Sequence, residues 1–383
     1  MPPDHEIDHR LARFVTSRNA LDVWPGVSAV AFRAAQEQIA GVTSAVLRGA
    51  PQPIRLAAPP NADARAIGVA GFAGGMGPLL GYWCETGTIV AEPAVAQLLA
   101  THLDHARGRT ERAHGVLERI LARFDDLDIE VVLLRGTHTR YRYFPEPATR
   151  SASDIHLLVQ PPDWERARGA LQALGLAERA GNAHPDRSLW SPAGEFPVHA
   201  LEFAHRDDPS LVELRRSLHP GPLLGLTAAL ETPVPPAPER WPELSRPVRV
   251  LPPPLLLAYL ALHASRYFYA TMLVRLAELV LVVERSLAGR PNAWPEFEAL
   301  VDRASLRPFV FPALDLAERL APGTLPPEVH ERLTNGAPEW LRERVRAESP
   351  GSILEMHPLP PEGKSVWSSP PVPLSRRERG DSD

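Results

Sequence analysis

Asp154 and His156 stand two positions apart in the stretch DIHLLV, residues 154–159. Alternate residues of a β-strand share a face, so a strand here presents a carboxylate and an imidazole side by side. Such a pair can hold a metal. Mg²⁺ takes oxygen ligands, usually carboxylates and waters, and a Mg²⁺ site would place a second acid where His156 stands. A neutral imidazole suits Zn²⁺, Mn²⁺ or Ni²⁺ better. The plain structural alternative makes His156 a core-edge histidine bonded to a neighbour and Asp154 a strand-edge acid paired with Arg150. The two residues alone thus allow a metal site, a damaged metal site or no site.

The elements around them narrow this. VVLLRG, residues 131–136, reads as a buried strand closed by Gly136. Before it, residues 93–127 carry Leu98, Leu99, Leu103, Val116, Leu117, Ile120, Leu121 and Phe124 at three- and four-residue spacing, the mark of an amphipathic helix. His102 and His105 on that helix are expected on a solvated face. After DIHLLV, PPDWERARGALQALGL predicts a helix with Asp163 as N-cap, an inner stripe of Trp164, Ala167, Leu171 and Leu174, and Gly175 as the stop. SLWSPAGEFPVHALEF, 188–203, reads as a hairpin around Pro192, Ala193 and Gly194. These pieces make a small sheet packed by helices.

The flanks read differently. Residues 1–92 form an N-terminal helical and irregular region, with an amphipathic helix over 29–47 and a linker at 51–65. GVAGFAGGMGPLLG, 68–81, fails the GxGxxG spacing of a nucleotide cradle and is expected to be a flexible loop. A core spans 93–205 and a Pro-rich linker 206–250. A helical C-terminal domain covers 251–347, with two buried helices first and others over 296–303, 308–320 and 327–334. The polar, Pro-rich tail, 348–383, is expected to lack fixed structure.

Composition excludes several classes. Of 383 residues, 41 are basic and 46 acidic, a net charge of −5, which gives no reason to expect a nucleic-acid partner. Lys364 is the only lysine, so no Gly-rich stretch has the lysine of a P-loop. A single cysteine, Cys84, rules out an internal disulfide and a thiolate zinc cluster. The polar N-terminus has no signal-peptide core. The longest apolar run, LPPPLLLAYLALHAS, is broken by Pro and His and too short to span a bilayer. A cytoplasmic protein without a membrane partner is expected.

The order of pieces resembles a family of uncharacterised bacterial nucleotidyltransferases of the polymerase-β-like superfamily. Its members typically read as a strand ending L-L-K-G, a Tyr/Pro-rich loop, then R-x-x-x-D-h-D-h-L-V, with h apolar. Here VVLLRG, THTRYRYFPEPATR and RSASDIHLLV follow that order, and the resemblance runs over roughly 95–335. It extends to His263 in LLLAYLALHAS and to Arg275 and Glu278 in VRLAELVLVVER. It implies an α+β fold: a polymerase-β-like core, a small mixed sheet with helices, plus an N-terminal helical region and a helical C-terminal domain. It also implies transfer of a nucleoside monophosphate (NMP) from an NTP to a small-molecule or peptide acceptor, with Mg²⁺ or Mn²⁺ as cofactor.

In that chemistry the metal clamps the phosphates and activates the attacking hydroxyl. The resemblance assigns Arg135, Gly136, Thr137 and Arg150 to the nucleotide, Arg135 standing where the family more often has Lys. It assigns Asp154 and His156 to the metal, and Asp154, His156 and Glu202 to catalysis. His199 replaces Glu202 if the strand register differs by one. THTRYRYF offers Arg140, Arg142, Tyr141, Tyr143 and Phe144 either to phosphate and base or as cover for the sheet edge. Because His156 takes an acid's place, three outcomes compete: a nucleotidyltransferase of reduced activity, an enzyme with an altered or single metal, or an inactive binding or interaction protein.

Overall fold

The computed structural model describes residues 20–58, 64–150, 154–179, 185–192, 211–218, 236–266 and 271–350, with a few isolated positions besides. Glu202, His199, the second arm of the expected hairpin and the tail from 351 lie outside the described residues.

The N-terminal part begins with α1, Ala29–Leu47, the helix its periodicity predicts; the Ser28 hydroxyl caps it by accepting from the Ala31 N–H at 3.1 Å. Two short strands, β1 (Ile54–Leu56) and β2 (Ile89–Ala91), pair in parallel. Between them lie α2 (Ala64–Ala73) and α3 (Gly77–Glu85). The glycine-rich stretch is therefore two helices and a tight turn, not a flexible loop. Its glycines serve close packing. A Cβ at Gly77 would run into the His102 ring, and one at Gly81 into the Leu99 carbonyl, so α3 could not lie against the next helix with larger residues.

That next helix, α4, spans Pro93–Asp126 and starts on proline. Proline opens several helices here, where its missing N–H costs nothing. This accounts for part of the chain's 43 prolines, about twice the usual share of about 5%. Asp128, at φ 51, turns the chain into β3, Val131–Leu133. Then come α5 (Arg135–Arg142), β4 (Asp154–Val159), α6 (Trp164–Ala173), β5 (Leu176–Glu178), β6 (Arg187–Pro192) and β7 (Leu211–Arg215). A last strand, β8, is Arg249–Val250. The strands form one mixed sheet in the order β5-β6-β7-β4-β3-β8. β4 runs antiparallel to β3 and parallel to β7.

Two strands of this sheet, β7 and β8, come from the segment read as a Pro-rich linker. Each is short and pairs with a strand far away in the chain, so local pattern carries little of the signal. Likewise the Tyr/Arg-rich stretch after Gly136 is the helix α5 rather than a loop. Its Arg140 is buried and bonds the Gly136 carbonyl, and its Arg142 packs over Trp241.

One face of the sheet sends Leu133, Ile155, Leu157 and Val212 against α4 and α6, through Leu117, Ile120, Phe124, Trp164 and Leu171. The C-terminal half supplies α7 (Pro253–Ser265), α8 (Leu273–Val282), α9 (Ala293–Arg303), α10 (Arg307–Leu320), α11 (Pro327–Asn335) and α12 (Glu339–Ala347). α7 is apolar all round and buried, as its composition requires. These helices share one continuous core with α1, α2 and α3, and with Val132, Leu134 and Leu158 of the sheet's other face. No helix among the described residues is long and apolar enough to cross a membrane.

Candidate active site

Where the sheet's second face meets the helices, the packing leaves a cavity of about 380 Å³. Arg135, Gly136, Arg150, Asp154 and His156 line it on the side of the sheet. His263 of α7, with Arg275 and Glu278 of α8, lines it opposite, and His105 and Arg109 of α4 close a further side. Most of the residues assigned from the sequence therefore converge, including the three on the C-terminal helices.

The strand spacing places Asp154 and His156 on one face. Register then adds a residue that the sequence reading missed. β7 pairs in parallel with β4 so that Glu213 lies opposite His156. His156 sits between the two acids: Nε2 is 3.0 Å from Asp154 Oδ2, and Nδ1 is 3.3 Å from Glu213 Oε1. Glu202 lies outside the described residues, and the acid beside His156 on the neighbouring strand is Glu213.

Glu213 is crowded with cations. Besides His156, it takes Arg215 Nε at 2.5 Å on Oε1, with Arg135 and Arg187 each at 3.8 Å. Burial pushes its pKa up, but the hydrogen bond and charge of His156, then Arg215 and Arg135, hold it well below the usual carboxylate range. Asp154 follows the same logic: burial raises it, the His156 charge and hydrogen bond outweigh this, and it falls to about 2. For His156, burial opposes the charged form, yet Asp154 and Glu213 overcome it, and its pKa is raised. A ring between two carboxylates, with a nitrogen facing each, can donate to both only as an imidazolium, the form that the raised pKa favours.

The remaining assigned residues have defined positions. Arg135 begins α5 at φ 48, a left-handed conformation uncommon for a residue with a side chain, and its guanidinium lies over the Tyr259 ring at 5.3 Å. Gly136 is closely approached: a Cβ there would stand 3.2 Å from Ala152 Cβ. Thr137 is buried, and its hydroxyl oxygen accepts the His156 backbone N–H at 2.8 Å. Arg150 donates to Glu278 through Nε at 3.0 Å and Nη2 at 2.9 Å, a bidentate pair, and Thr139 donates to the same carboxylate.

Across the cavity, His263 has the opposite character to His156. Burial, then the nearby charges of Arg135 and Arg275, push its pKa well below the ordinary value and keep it neutral. Arg275, also buried, is lowered to about 10, first by burial and then by Arg150. His102, expected on a solvated face, is only 4% exposed and held down at about 4 by burial and then His105. The close approach of α3 through Gly77 covers that side of α4, a contact that helical periodicity does not reveal.

A nucleotidyl-transfer metal needs oxygens converging from two or more carboxylates. The described residues do not fit that need. Both nitrogens of His156 face carboxylates, so neither has a lone pair to give. Glu213 is already engaged by His156 and arginines. Among the described acids of the sheet, Asp154 is the one that lines the cavity, with its side chain 32% exposed. Among the described residues, no group of three or more His, Cys, Asp or Glu is arranged to hold a metal ion.

The mixed sheet carrying Asp154 at the mouth of an Arg-lined cavity, with helices on either side, is an α+β arrangement consistent with a nucleotidyltransferase. Residues 73–322 match a family model described as uncharacterised nucleotidyltransferase, and the chain belongs to that family. A comparison with curated proteins finds no match.

Proposed function

We propose that the cavity holds an NTP and that the protein transfers its NMP to a small-molecule or peptide acceptor at a severely reduced rate. The triphosphate lies against Gly136 and the surrounding arginines, with Asp154 nearest the reacting phosphate. The observation that carries this is the seat of His156 between Asp154 and Glu213. A cationic ring takes the position of an acid and neutralises the two acids beside it. Carboxylates so engaged are poor metal ligands and poor bases. Phosphate recognition by Arg is independent of that loss.

The test is direct. The protein is incubated with labelled ATP, GTP, CTP or UTP in Mg²⁺ or Mn²⁺, and label transfer and pyrophosphate release are measured. Slow transfer is expected, lost in Asp154→Ala. His156→Asp is expected to raise the rate by about tenfold or more, the scale on which partners of metal ligands alter metal sites. Transfer that survives Asp154→Ala would remove Asp154 from the chemistry. A fall in rate on His156→Asp would make His156 a working group.

A second reading, a binding or interaction protein with no catalysis, is favoured by the saturation of Glu213 by His156, Arg215, Arg187 and Arg135. It predicts nucleotide binding with no transfer from either the native protein or His156→Asp.

A further inference from the structure

We propose that the cavity binds the di- or triphosphate group of its nucleotide as the metal-free anion, with arginines supplying the positive charge. This rests on the nucleotide reading above and adds how the phosphates are held.

Three observations carry it. First, the place between the sheet's acids is already filled by a side chain of the protein, the His156 ring, 3.0 Å from Asp154 and 3.3 Å from Glu213. Second, the lining holds an excess of positive charge. Arg109, Arg135, Arg150 and Arg275 line the cavity, against Asp154 and Glu278. Both of those acids already have partners, His156 for one and Arg150 for the other. Third, two guanidiniums are under-used. Among the described residues the Arg135 Nε is buried without a hydrogen-bond acceptor, and its Nη1 reaches Glu213 only at 3.8 Å, behind closer cations. Among the described residues, Arg275 has no carboxylate within ion-pair distance, although it is nearly buried and faces the cavity.

Buried guanidinium charge is unfavourable unless paired. A fold that keeps it facing an otherwise open space is complementary to an anion that enters. Arg suits phosphate in particular, because its planar fork gives two parallel N–H donors to two oxygens. A divalent cation arriving with the phosphates would meet the same excess of positive charge and, among the described residues of the sheet that line the cavity, only one exposed carboxylate, Asp154. The bare polyphosphate therefore fits the wall better than its Mg²⁺ complex.

The experiment is isothermal titration calorimetry on the full chain with ATP, ADP and inorganic tripolyphosphate, each in EDTA and in excess Mg²⁺. ATP is expected to bind in EDTA at least as tightly as in Mg²⁺. Arg275→Gln is expected to weaken binding in EDTA by about tenfold or more without lowering the ligand-free melting temperature. Arg109→Gln, on another side of the cavity, is a second variant with the same expected loss. ATP binding seen in Mg²⁺ and lost in EDTA overturns the inference and leaves the nucleotide reading standing. Tripolyphosphate binding in EDTA without ATP binding in either buffer keeps the anion site and removes the nucleotide reading. No binding of any probe removes both. Unchanged affinity in both variants overturns the assignment to arginine.

Discussion

Two histidines face one cavity from opposite sides, and their pKa values are shifted in opposite directions. On the sheet, His156 lies between Asp154 and Glu213, and the two carboxylates raise its pKa against the effect of burial. On the helical side, His263 has arginines for neighbours and is held neutral. The sheet's acids are satisfied within the chain: Glu213 alone is within ion-pair distance of one histidine and three arginines. The helices keep Arg275 without such a partner among the described residues. A wall that neutralises itself contributes stability and shape. A wall that leaves charge uncompensated contributes a place for a ligand.

The sharpest way to break this contrast is to remove the sheet's central acid. Glu213→Ala leaves His156 and Arg215 buried without their shared partner and is expected to cost ~3–5 kcal/mol, the usual loss when one member of a buried pair is removed. Urea unfolding measures it. A loss below ~1 kcal/mol would mean the sheet's ions are not a stabilising unit.

Acidity sharpens the contrast next, because the two histidines give opposite slopes. His156 has a folded pKa above its ordinary value. Its stabilisation is complete below the unfolded value of about 6.5 and is lost as pH rises through the raised pKa. His263 has a folded pKa below the ordinary value, so the unfolded chain takes up its proton first. Its contribution is complete above about 6.5 and is lost as pH falls. Each limb carries up to ~1.4 kcal/mol per pH unit. His138, pushed down to about 3 by burial and then Arg142, and His102, down to about 4, steepen the acid limb as well. Urea midpoints between about pH 5 and 9 are expected to lose their alkaline dependence in His156→Gln and to flatten on the acid side in His263→Gln. Identical profiles for the two variants would contradict the assignment of charge.

Arg275→Gln probes the helical wall alone. Removing an uncompensated buried cation is expected to leave the ligand-free protein as stable or more stable, by ~1 kcal/mol, as read by chemical denaturation. Destabilisation by more than that would show that Arg275 is already paired within the fold. The smallest effect is expected at Gly136→Ala. The new methyl would press on Ala152 Cβ at 3.2 Å and approach Arg150 Cζ at 3.7 Å. A cost of ~1 kcal/mol or less follows if Ala152 yields, with a modest drop in ATP affinity measured by calorimetry.

Much of the fold is legible in short stretches of sequence. The helices over 29–47 and 93–126 follow from apolar spacing, and DIHLLV alone predicts that Asp154 and His156 share a face. What escapes is what depends on distant pairing. Glu213 lies 57 residues from His156, on a five-residue strand whose parallel register nothing local encodes. The Arg150–Glu278 pair spans 128 residues. Both decide what the cavity can do, since one silences an acid and the other ties the sheet side to α8. The glycines of 68–81 escaped for another reason. Gly77 and Gly81 permit close helix packing, and in a lone sequence that use looks the same as a loop.

The central claim is that His156 is a resident cation clamped by two carboxylates. Nitrogen-15 NMR of the histidine ring tests it most directly, on native protein at about pH 6.5, the ordinary imidazole value, with and without Mg²⁺. The account predicts protons on both ring nitrogens of His156 and no change when Mg²⁺ is added. A neutral ring with one bare nitrogen, shifting as Mg²⁺ or Mn²⁺ enters, would contradict it.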